Sequence, residues 1–168
     1  IKEKLERNDF PVTTESIEQN LADVAGIRVI CSFPEDVYAL ANALLRQDDI
    51  QLVKKKDYIK NPKLNGYRSY HMIVEIPVFF ADRKQPVKVE VQFRTIAMDF
   101  WASLEHQMKY KQEIPDQEAI AEELRLCAET IRETDERMLA IRRKIEAAED
   151  TADEEELLFE KLSRIDIG

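Results

Sequence analysis

The sequence has 168 residues, of which 44% are hydrophobic and 35% are charged, and its formal net charge is −9. This length allows one domain with a buried core, and no apolar run approaches the length of a membrane span. The acidity disfavours DNA and other long polyanions, whose binding requires an extended basic surface. Cys31 and Cys127 lie far apart in apolar patterns, which is typical of reduced, packed thiols in a cytoplasmic protein.

Charge is distributed unevenly along the chain. Residues 113–168 contain 18 acidic and 8 basic side chains, a net of −10, whereas residues 54–71 carry a net of +5. The basic cluster consists of Lys54, Lys55, Lys56, Lys60, Lys63 and Arg68, against Asp57. A solvated loop is the commoner explanation of such a cluster, and a phosphate-binding site is the alternative.

Periodicity predicts alternating helices and strands in the first part of the chain. Residues 1–8 are predicted to be helical, so we expect a further segment to precede Ile1, and TTESIEQNL begins a second helix with Thr14 as its cap. Next come a buried strand in GIRVICSF, a helix in PEDVYALANALLRQ and a strand in IQLVKKKDYI. Pro62 and the pair Asn65-Gly66 predict a turn after that strand.

The remaining pattern is a hairpin followed by helices. SYHMIVEIPVFF and VKVEVQFR predict two strands joined by ADRKQP, and Thr95 caps the helix IAMDFWASLEHQMKYK. Strands mixed with helices, then an all-helical tail, predict an α+β domain over residues 1–112 with a helical extension over residues 113–168.

The extension has a heptad seam, which predicts packing against another helix, on the domain itself or on a partner subunit. The seam positions are Ile120, Leu124, Cys127, Ile131, Thr134, Met138, Ile141, Ile145 and Ala148. We expect this extension to mediate self-association, because a lone helix with such a stripe would expose its apolar face to water.

The strand PVKVEVQFRT separates its side chains by character. Valines and a phenylalanine fall on one face, and Lys88, Glu90, Gln92 and Arg94 fall on the other, because successive side chains in a strand alternate between faces. A half-buried strand with a wet polar side is the commoner explanation. The alternative is that this face forms one wall of a polar binding site.

Several familiar sites are excluded by the sequence. The three glycines form neither a Walker loop nor a dinucleotide-binding fingerprint, and no serine lies in a nucleophile elbow. His71 and His106 lack the neighbouring ligands of a zinc site. Any bound phosphate must therefore be held mostly by side chains.

Three segments together favour a magnesium–nucleotide site: DVAGIRV with Asp23 and Arg28, KNPKLNGYRSYH with Tyr67 and His71, and VEVQFRT with Glu90. Two carboxylates, an exposed aromatic residue after a turn and many cations are what such a site requires. Each residue also has a structural explanation: Asp23 as a helix-end charge, Tyr67 as a half-buried core ring and His71 as a satisfied strand residue.

These segments resemble the synthetase domain of the RelA/SpoT family, the enzymes that make the alarmones ppGpp and pppGpp. DYI, NGYRSYH, EVQFRT and FWASLEH occur in the family's order between Asp23 and Lys111. The compact size and helical tail are similar to those of the small stand-alone alarmone synthetases. The long members also carry a hydrolase domain with a His-Asp pair, which this sequence lacks, so we expect synthesis without hydrolysis.

The resemblance implies a nucleotidyltransferase-like mixed sheet of four to five strands flanked by helices. It also implies a GTP pyrophosphokinase of the stringent response, in which the ribose 3′-hydroxyl of GDP or GTP takes pyrophosphate from ATP and AMP is released. In small synthetases the subunits form homo-oligomers, and a tetramer is the expected state here. A basic segment that contributes to adenine binding would precede Ile1.

The resemblance also assigns roles to individual residues. Asp23 and Glu90 are the expected catalytic carboxylates and Mg²⁺ ligands, with Glu90 as the base that accepts the hydroxyl proton. The expected guanine-nucleotide contacts are Tyr67, which stacks on the base, with Lys63, Asn65, His71 and Gln92. The expected ATP contacts are Arg28, which stacks on adenine, with Lys54, Lys56 and Arg68. Arg94 is expected to line or brace the site.

Two other classes of function remain open from the sequence. The domain could be a catalytically silent nucleotide-binding module whose tail recruits a partner. The presence of Asp23, Tyr67 and Glu90 argues against this, because a silent relative could lose them freely. It could also be a nucleotidyltransferase that acts on RNA ends, which the acidity disfavours.

Overall fold

The computed structural model describes residues 2–7, 9–13, 16, 25–109 and 116–165. Its elements are α1 (Lys2–Arg7), β1 (Ala25–Cys31), α2 (Pro34–Leu45), β2 (Gln51–Asp57), β3 (Tyr70–Phe79), β4 (Lys84–Thr95), α3 (Ile96–Lys109) and α4 (Gln117–Ile165). Asp23 and the helix start predicted at Thr14 lie outside the described residues. No helix within these ranges is long and apolar enough to cross a membrane.

The strands form one four-stranded mixed sheet in the order β1-β4-β3-β2. β1 runs parallel to β4, and the other neighbours are antiparallel. β3 and β4 are the predicted hairpin, whose connection is closed by a 2.8 Å backbone hydrogen bond from Phe80 N to Arg83 O. The expected α+β class with a mixed sheet and flanking helices is confirmed.

One face of the sheet is the hydrophobic core. Alternate residues of β3 and β4 point to this face and pack against the apolar stripe of α2. The buried members are Tyr70, Met72, Val74, Val89, Val91 and Phe93 from the strands, with Val37 and Ala41 from α2. Because this face takes the apolar half of each strand, the polar half is gathered on the opposite face.

The prediction that β1 is a buried strand is wrong. Among the strands that the structure describes, β1 lies at the edge of the sheet, next to β4. Ile27 is 56% exposed and Ile30 is 45% exposed. A continuous apolar run is typical of a parallel strand covered on both faces, and it does not reveal where in the sheet order the strand falls.

Two helices follow the sheet and pack on one another. Thr95 caps α3 as predicted, since its Oγ1 accepts a hydrogen bond from Met98 N at 3.1 Å. The same hydroxyl donates to the buried carboxylate of Asp135 in α4 at 2.7 Å. The indole Nε1 of Trp101 donates to the backbone carbonyl of Leu124 at 2.9 Å. These bonds dock the first half of α4 on α3.

Further along, α4 reaches the beginning of α2. Arg142 forms an ion pair with Asp36 at 2.8 Å, and the neighbouring Arg143 pairs with Glu35. Both acidic side chains lie in the first turn of α2, where negative charge also interacts favourably with the helix dipole. The extension therefore packs along its own domain rather than standing clear of it.

The buried face of α4 differs from the predicted seam. Leu124 and Ile131 contact the domain as expected, but Cys127 and Thr134 are exposed, and Ala128 and Asp135 are buried in their place. A straight helix has 3.6 residues per turn, so a seam spaced at 3.5 residues drifts away from the contact line. Cys127 is accordingly a free, exposed thiol rather than a packed one, whereas Cys31 is buried as expected.

Candidate active site

The face of the sheet opposite the core carries polar side chains drawn from all four strands. In order across β1, β4, β3 and β2, the first row is Arg28, Gln92, His71 and Lys56, and the next row includes Glu90, Ile73 and Lys54. We call these two rows the polar face. The alternation of β4 thus predicted one line of this face correctly, and strand pairing supplies the rest.

A closed ring of hydrogen bonds occupies the centre of the polar face. Arg94 Nη2 donates to the Tyr67 hydroxyl at 2.8 Å, and that hydroxyl lies 2.9 Å from His71 Nε2. On the other side of the imidazole, His71 Nδ1 lies 3.1 Å from Glu90 Oε1. Gln92 Nε2 donates to Glu90 Oε2 at 3.0 Å, and Gln92 Oε1 accepts from Arg94 at 3.2 Å. The ring ties a tyrosine, a histidine and a carboxylate into one unit.

The donors and acceptors of the ring determine where its protons lie. A carboxylate can only accept, so His71 Nδ1 carries a proton and donates to Glu90. In a neutral imidazole Nε2 then accepts from the Tyr67 hydroxyl, whose oxygen accepts from the Arg94 guanidinium. Burial lowers the pKa of His71, and the nearby Glu90 carboxylate opposes that shift. A neutral imidazole and an ionised carboxylate therefore satisfy every bond of the ring.

Arg94 holds the ring from behind. Its side chain is only 7% exposed, and its Nη1 donates to Asp99 Oδ1 at 2.9 Å. Asp99 also pairs with Arg28 at 3.3 Å, so one carboxylate in the first turn of α3 joins two cations. Asp99 carries no signal in the sequence that would predict this role, because an acidic residue in the first turn of a helix is ordinary.

We expect Arg94→Met to lower the free energy of unfolding by about 2 kcal/mol, because it removes several hydrogen bonds to a buried charged group. The matched control is Arg28→Met, since the Arg28 side chain is 50% exposed and pairs with the same Asp99. An exposed pair contributes at most about 1 kcal/mol. Urea unfolding followed by circular dichroism measures both, and equal losses would contradict the bracing role of Arg94.

A cavity of about 270 Å³ opens beside the ring. Its walls include Lys54, Lys56 and Lys63, with Tyr58 and Glu90 among the other lining residues. Several cations next to one carboxylate suit a polyphosphate that is attacked close to a base. Four members of the basic cluster therefore line this cavity at the edge of the polar face: Lys54, Lys55, Lys56 and Lys63.

Glu90 also fits a divalent cation. Each of its two oxygens accepts one bond in the ring and keeps a further lone pair, and its side chain is 24% exposed. Within the described ranges, no three His, Cys, Asp or Glu side chains form a cluster that could hold a metal ion. Mg²⁺ normally needs only one or two carboxylates together with substrate phosphates. A single carboxylate with free lone pairs is therefore compatible with a metal ion that substrate phosphates also hold.

The turn before β3 presents Tyr67. Gly66 has a positive φ of 86°, as the predicted turn requires, and Asn65 Oδ1 accepts a hydrogen bond from Tyr67 N at 3.2 Å. Asn65 Nδ2 donates to Glu105 at 2.9 Å, which anchors the turn to α3. The Tyr67 ring is half-buried rather than exposed, and the Lys63 ammonium lies 4.6 Å from its centre.

Two further residues of the DYI segment shape the cavity. Asp57 Oδ1 accepts hydrogen bonds from Ile59 N and Lys60 N at 3.0 Å each, which fixes the turn after β2. The Tyr58 ring lies beneath the Lys63 ammonium at 5.0 Å and against the His71 ring at 5.4 Å. Tyr58 was not among the predicted site residues, although its place between two basic stretches is a signal for it.

Arg68 is not brought to the polar face. It lies beneath α4, in a small space also lined by Trp101, Ile131 and Asp135. Burial lowers the pKa of Arg68, and the Asp135 and Glu136 carboxylates oppose that shift. The structure therefore does not support the expected contact between Arg68 and ATP. Positive charge in a sequence does not reveal to which side of the chain a side chain points.

Comparison with known proteins agrees with this geometry. The family described as "Region found in RelA / SpoT proteins" matches residues 1–115. GTP pyrophosphokinase YwaC of Bacillus subtilis (strain 168) is 46% identical over 148 residues, which cover 87% of this chain and 70% of that protein. The crystal structure of small alarmone synthetase 2 from Bacillus subtilis matches with a TM-score of 0.76 and 45% identity, over 85% of this chain and 74% of that one.

Small alarmone synthetase 1 from Bacillus subtilis is similar in two ligand complexes. Bound to its product pppGpp, it matches with a TM-score of 0.77 and 35% identity, over 86% of this chain and 73% of that one. Bound to AMPCPP, it matches with a TM-score of 0.67 and 31% identity, over 86% and 72% of the two chains. The fold, the order of the motifs and the extent of these matches lead to one conclusion: this chain belongs to the RelA/SpoT family.

Proposed function

We propose that this protein is a GTP pyrophosphokinase, which transfers pyrophosphate from ATP to GDP or GTP and makes the alarmones ppGpp or pppGpp. The observation that carries the proposal is the closed ring that orients the Glu90 carboxylate beside a cavity lined by lysines. The named activities of the similar proteins support the same reaction. Nucleotide substrates and two free thiols are consistent with a cytoplasmic location.

In the proposed reaction the ribose 3′-oxygen of the guanine nucleotide attacks the β-phosphorus of ATP. A new bond forms between that oxygen and the β-phosphorus, while the bond from the β-phosphorus to the oxygen that bridges to the α-phosphorus breaks and AMP leaves. Glu90 accepts the proton of the hydroxyl. The bonds from His71 and Gln92 hold the carboxylate in one orientation, which favours an aligned proton transfer.

We propose Mg²⁺ as the cofactor, held by Glu90 and Asp23. The free lone pairs of Glu90 support its part, and Asp23 precedes β1, whose residue Gly26 is paired with Glu90 in the sheet register. When bound, the metal would offset the negative charge of the transferred phosphates. The lysines of the cavity would supply the remaining positive charge.

Both nucleotides would contact the polar face. We assign the guanine nucleotide to Tyr67, as the stacking ring, and to Lys63, Asn65, His71 and Gln92. We assign ATP to Arg28, Lys54 and Lys56. The half-exposed guanidinium of Arg28, held by Asp99, supports stacking on a base, because a planar and weakly hydrated cation suits an aromatic face.

Product analysis tests the proposal directly. The unmutated protein is incubated with ATP labelled in its γ-phosphate, Mg²⁺ and either GDP or GTP, and the products are separated by thin-layer chromatography. Labelled ppGpp or pppGpp is the expected product, and it should persist after the ATP is exhausted, because no hydrolase site is expected. Binding of both nucleotides without any product would indicate a silent module. Transfer to an RNA end instead would indicate another nucleotidyltransferase.

We also propose that the outer half of α4 mediates self-association, with a tetramer as the preferred state. The observation is an apolar stripe on this half that its own domain leaves exposed. Met138, Ile141 and Ile145 are 52%, 49% and 54% exposed. Three such side chains at helical spacing form a continuous surface of the kind that marks protein contacts.

Charge placed on this stripe is expected to dissociate the oligomer. Met138→Glu/Ile141→Glu should give a monomer by light scattering at micromolar concentration, with an unchanged circular dichroism spectrum. The matched control is Glu133→Gln/Arg137→Gln, which alters charge on the same helix outside the stripe. A monomeric unmutated protein would contradict the proposal, as would an oligomer that survives both glutamates.

A further inference from the structure

The first half of α4 touches the back of the turn that carries Tyr67. A Cβ atom placed on Gly66 would lie 2.4 Å from the Cβ of Ala128, and 3.5 Å from the Cα of Arg125. The first distance is far shorter than any ordinary contact between carbon atoms. The backbone of the turn therefore lies against the Ala128 side chain of the helix, and only glycine at position 66 lets the two approach this closely.

The side chain of Tyr67 packs into the same contact. Trp101, Ala102 and Ala128 form a small buried cluster between α3 and α4, and the Tyr67 ring packs against it together with Leu124 and Ile131. The cluster is itself held in place, because the Trp101 indole donates to the Leu124 carbonyl and Thr95 donates to Asp135. The cluster thus forms a rigid platform under one side of the aromatic ring of Tyr67.

From Tyr67 the contact continues to the reactive carboxylate. The Tyr67 hydroxyl takes part in the hydrogen-bonded ring through His71 and Arg94, and His71 bonds to Glu90. A shift of the turn would therefore move the aromatic ring of Tyr67, and it would also disturb the hydrogen bonds that orient Glu90. The platform on α4 is remote from the cavity but is connected to it by direct contacts throughout.

We propose that Ala128 is a positioning residue for Tyr67, so that the first half of the helical extension is a structural part of the synthetase site. The proposal rests on the proposed function, in which Tyr67 stacks on guanine. It assigns two tasks to one helix: its inner half seats the guanine-binding turn, and its outer half presents the apolar stripe. A protein truncated to residues 1–112, without the extension, should then have strongly impaired synthetase activity.

A compensating pair of substitutions tests the contact. Gly66→Ala should raise the KM for the guanine nucleotide about tenfold or more, with the KM for ATP within twofold, because a small misplacement of a binding group has large kinetic effects. Adding Ala128→Gly removes the atom at 2.4 Å and leaves the next neighbour at 3.5 Å. Alanine at position 66 keeps the backbone strain of a φ of 86° in both variants, so Gly66→Ala/Ala128→Gly should recover the part of the affinity that the clash removes.

Two controls separate positioning from loss of stability. Ala140→Gly makes the same change at an exposed position of α4, and Gly66→Ala/Ala140→Gly should show no recovery. If Gly66→Ala fails to fold, Ala128→Leu tests the same contact, because it adds bulk from the helix side. It should also raise the KM for the guanine nucleotide. Recovery with either glycine on α4, or equal changes in the KM for ATP and for the guanine nucleotide, would overturn the proposal.

Hydrogen exchange gives a readout that needs no activity. The amide of Gly66 donates to the Lys63 carbonyl at 2.8 Å, and the amide of Lys63 donates to the Tyr67 carbonyl at 3.1 Å. Both amides should exchange faster in Gly66→Ala, and their exchange should slow again in Gly66→Ala/Ala128→Gly, as far as the clash and not the backbone strain is the cause. If the unmutated protein makes no alarmone, and the amide exchange still recovers in the double variant, the proposed function is refuted and the contact is upheld. Unchanged exchange in folded Gly66→Ala would refute the contact itself.

Discussion

Glu90→Gln is expected to abolish alarmone synthesis while leaving guanine-nucleotide binding within a few-fold of the unmutated protein. The amide keeps the shape of the side chain but cannot accept the hydroxyl proton, and it is a poor ligand for Mg²⁺. Each of these roles is typically worth about a hundredfold or more in rate. Single-turnover formation of labelled product measures the loss, and equilibrium binding of a fluorescent GDP analogue measures the affinity.

The structure adds a reason why affinity should survive. The glutamine oxygen can still accept from His71 or from Gln92, so most of the hydrogen-bonded ring persists. Glu75→Gln is the matched control, because Glu75 lies on the same strand as His71 and is paired with Lys88 in the sheet register. We expect that control to keep normal turnover. If Glu90→Gln retains more than a tenth of the normal turnover, the assignment of Glu90 as the base is contradicted.

Tyr67→Ala should raise the KM for the guanine nucleotide with little effect on the KM for ATP. Stacking of a base on an aromatic side chain is worth about 1–3 kcal/mol, or roughly 5-fold to 150-fold in KM. Steady-state kinetics with each substrate varied in turn measures the split. The half-buried ring also packs against Trp101 and Ala128, so urea unfolding must accompany the kinetics.

Tyr67→Phe separates the ring from its hydroxyl. Phenylalanine keeps the stacking surface but removes the bonds to Arg94 and His71, so we expect a lower kcat with the KM for the guanine nucleotide nearly unchanged. If alanine weakens both substrates equally, or if it simply unfolds the domain, Tyr67 is a core residue and not a base-stacking one.

The pattern of β4 and the turn before β3 could be read from the sequence because both depend on local geometry. Alternation along a strand places Glu90 and Gln92 on one face whatever the partner strands are. Asn65-Gly66 predicts a turn because glycine adopts a positive φ without a steric penalty. Thr95 predicts a helix start because its hydroxyl reaches an amide three residues later. Neighbours along the chain determine each of these features.

Only the tertiary structure decided which of these residues meet. Strand order placed β1 at an edge and brought Arg28 beside Gln92, although the two are far apart in the sequence. The ring from Arg94 through Tyr67 and His71 to Glu90 depends on the register of β3 against β4, and a slip of one residue would turn every side chain to the other face.

The direction of a side chain and the contact line of a helix were likewise decided by packing. Arg68 has the charge of a phosphate ligand, yet it emerges beneath α4 beside Asp135. The predicted seam of α4 included Cys127, whereas contact with Gly66 selected Ala128, one residue further along. A sequence pattern specifies which faces are apolar, but a contact at van der Waals distance depends on the shape of both surfaces, and that shape exists only in the folded chain.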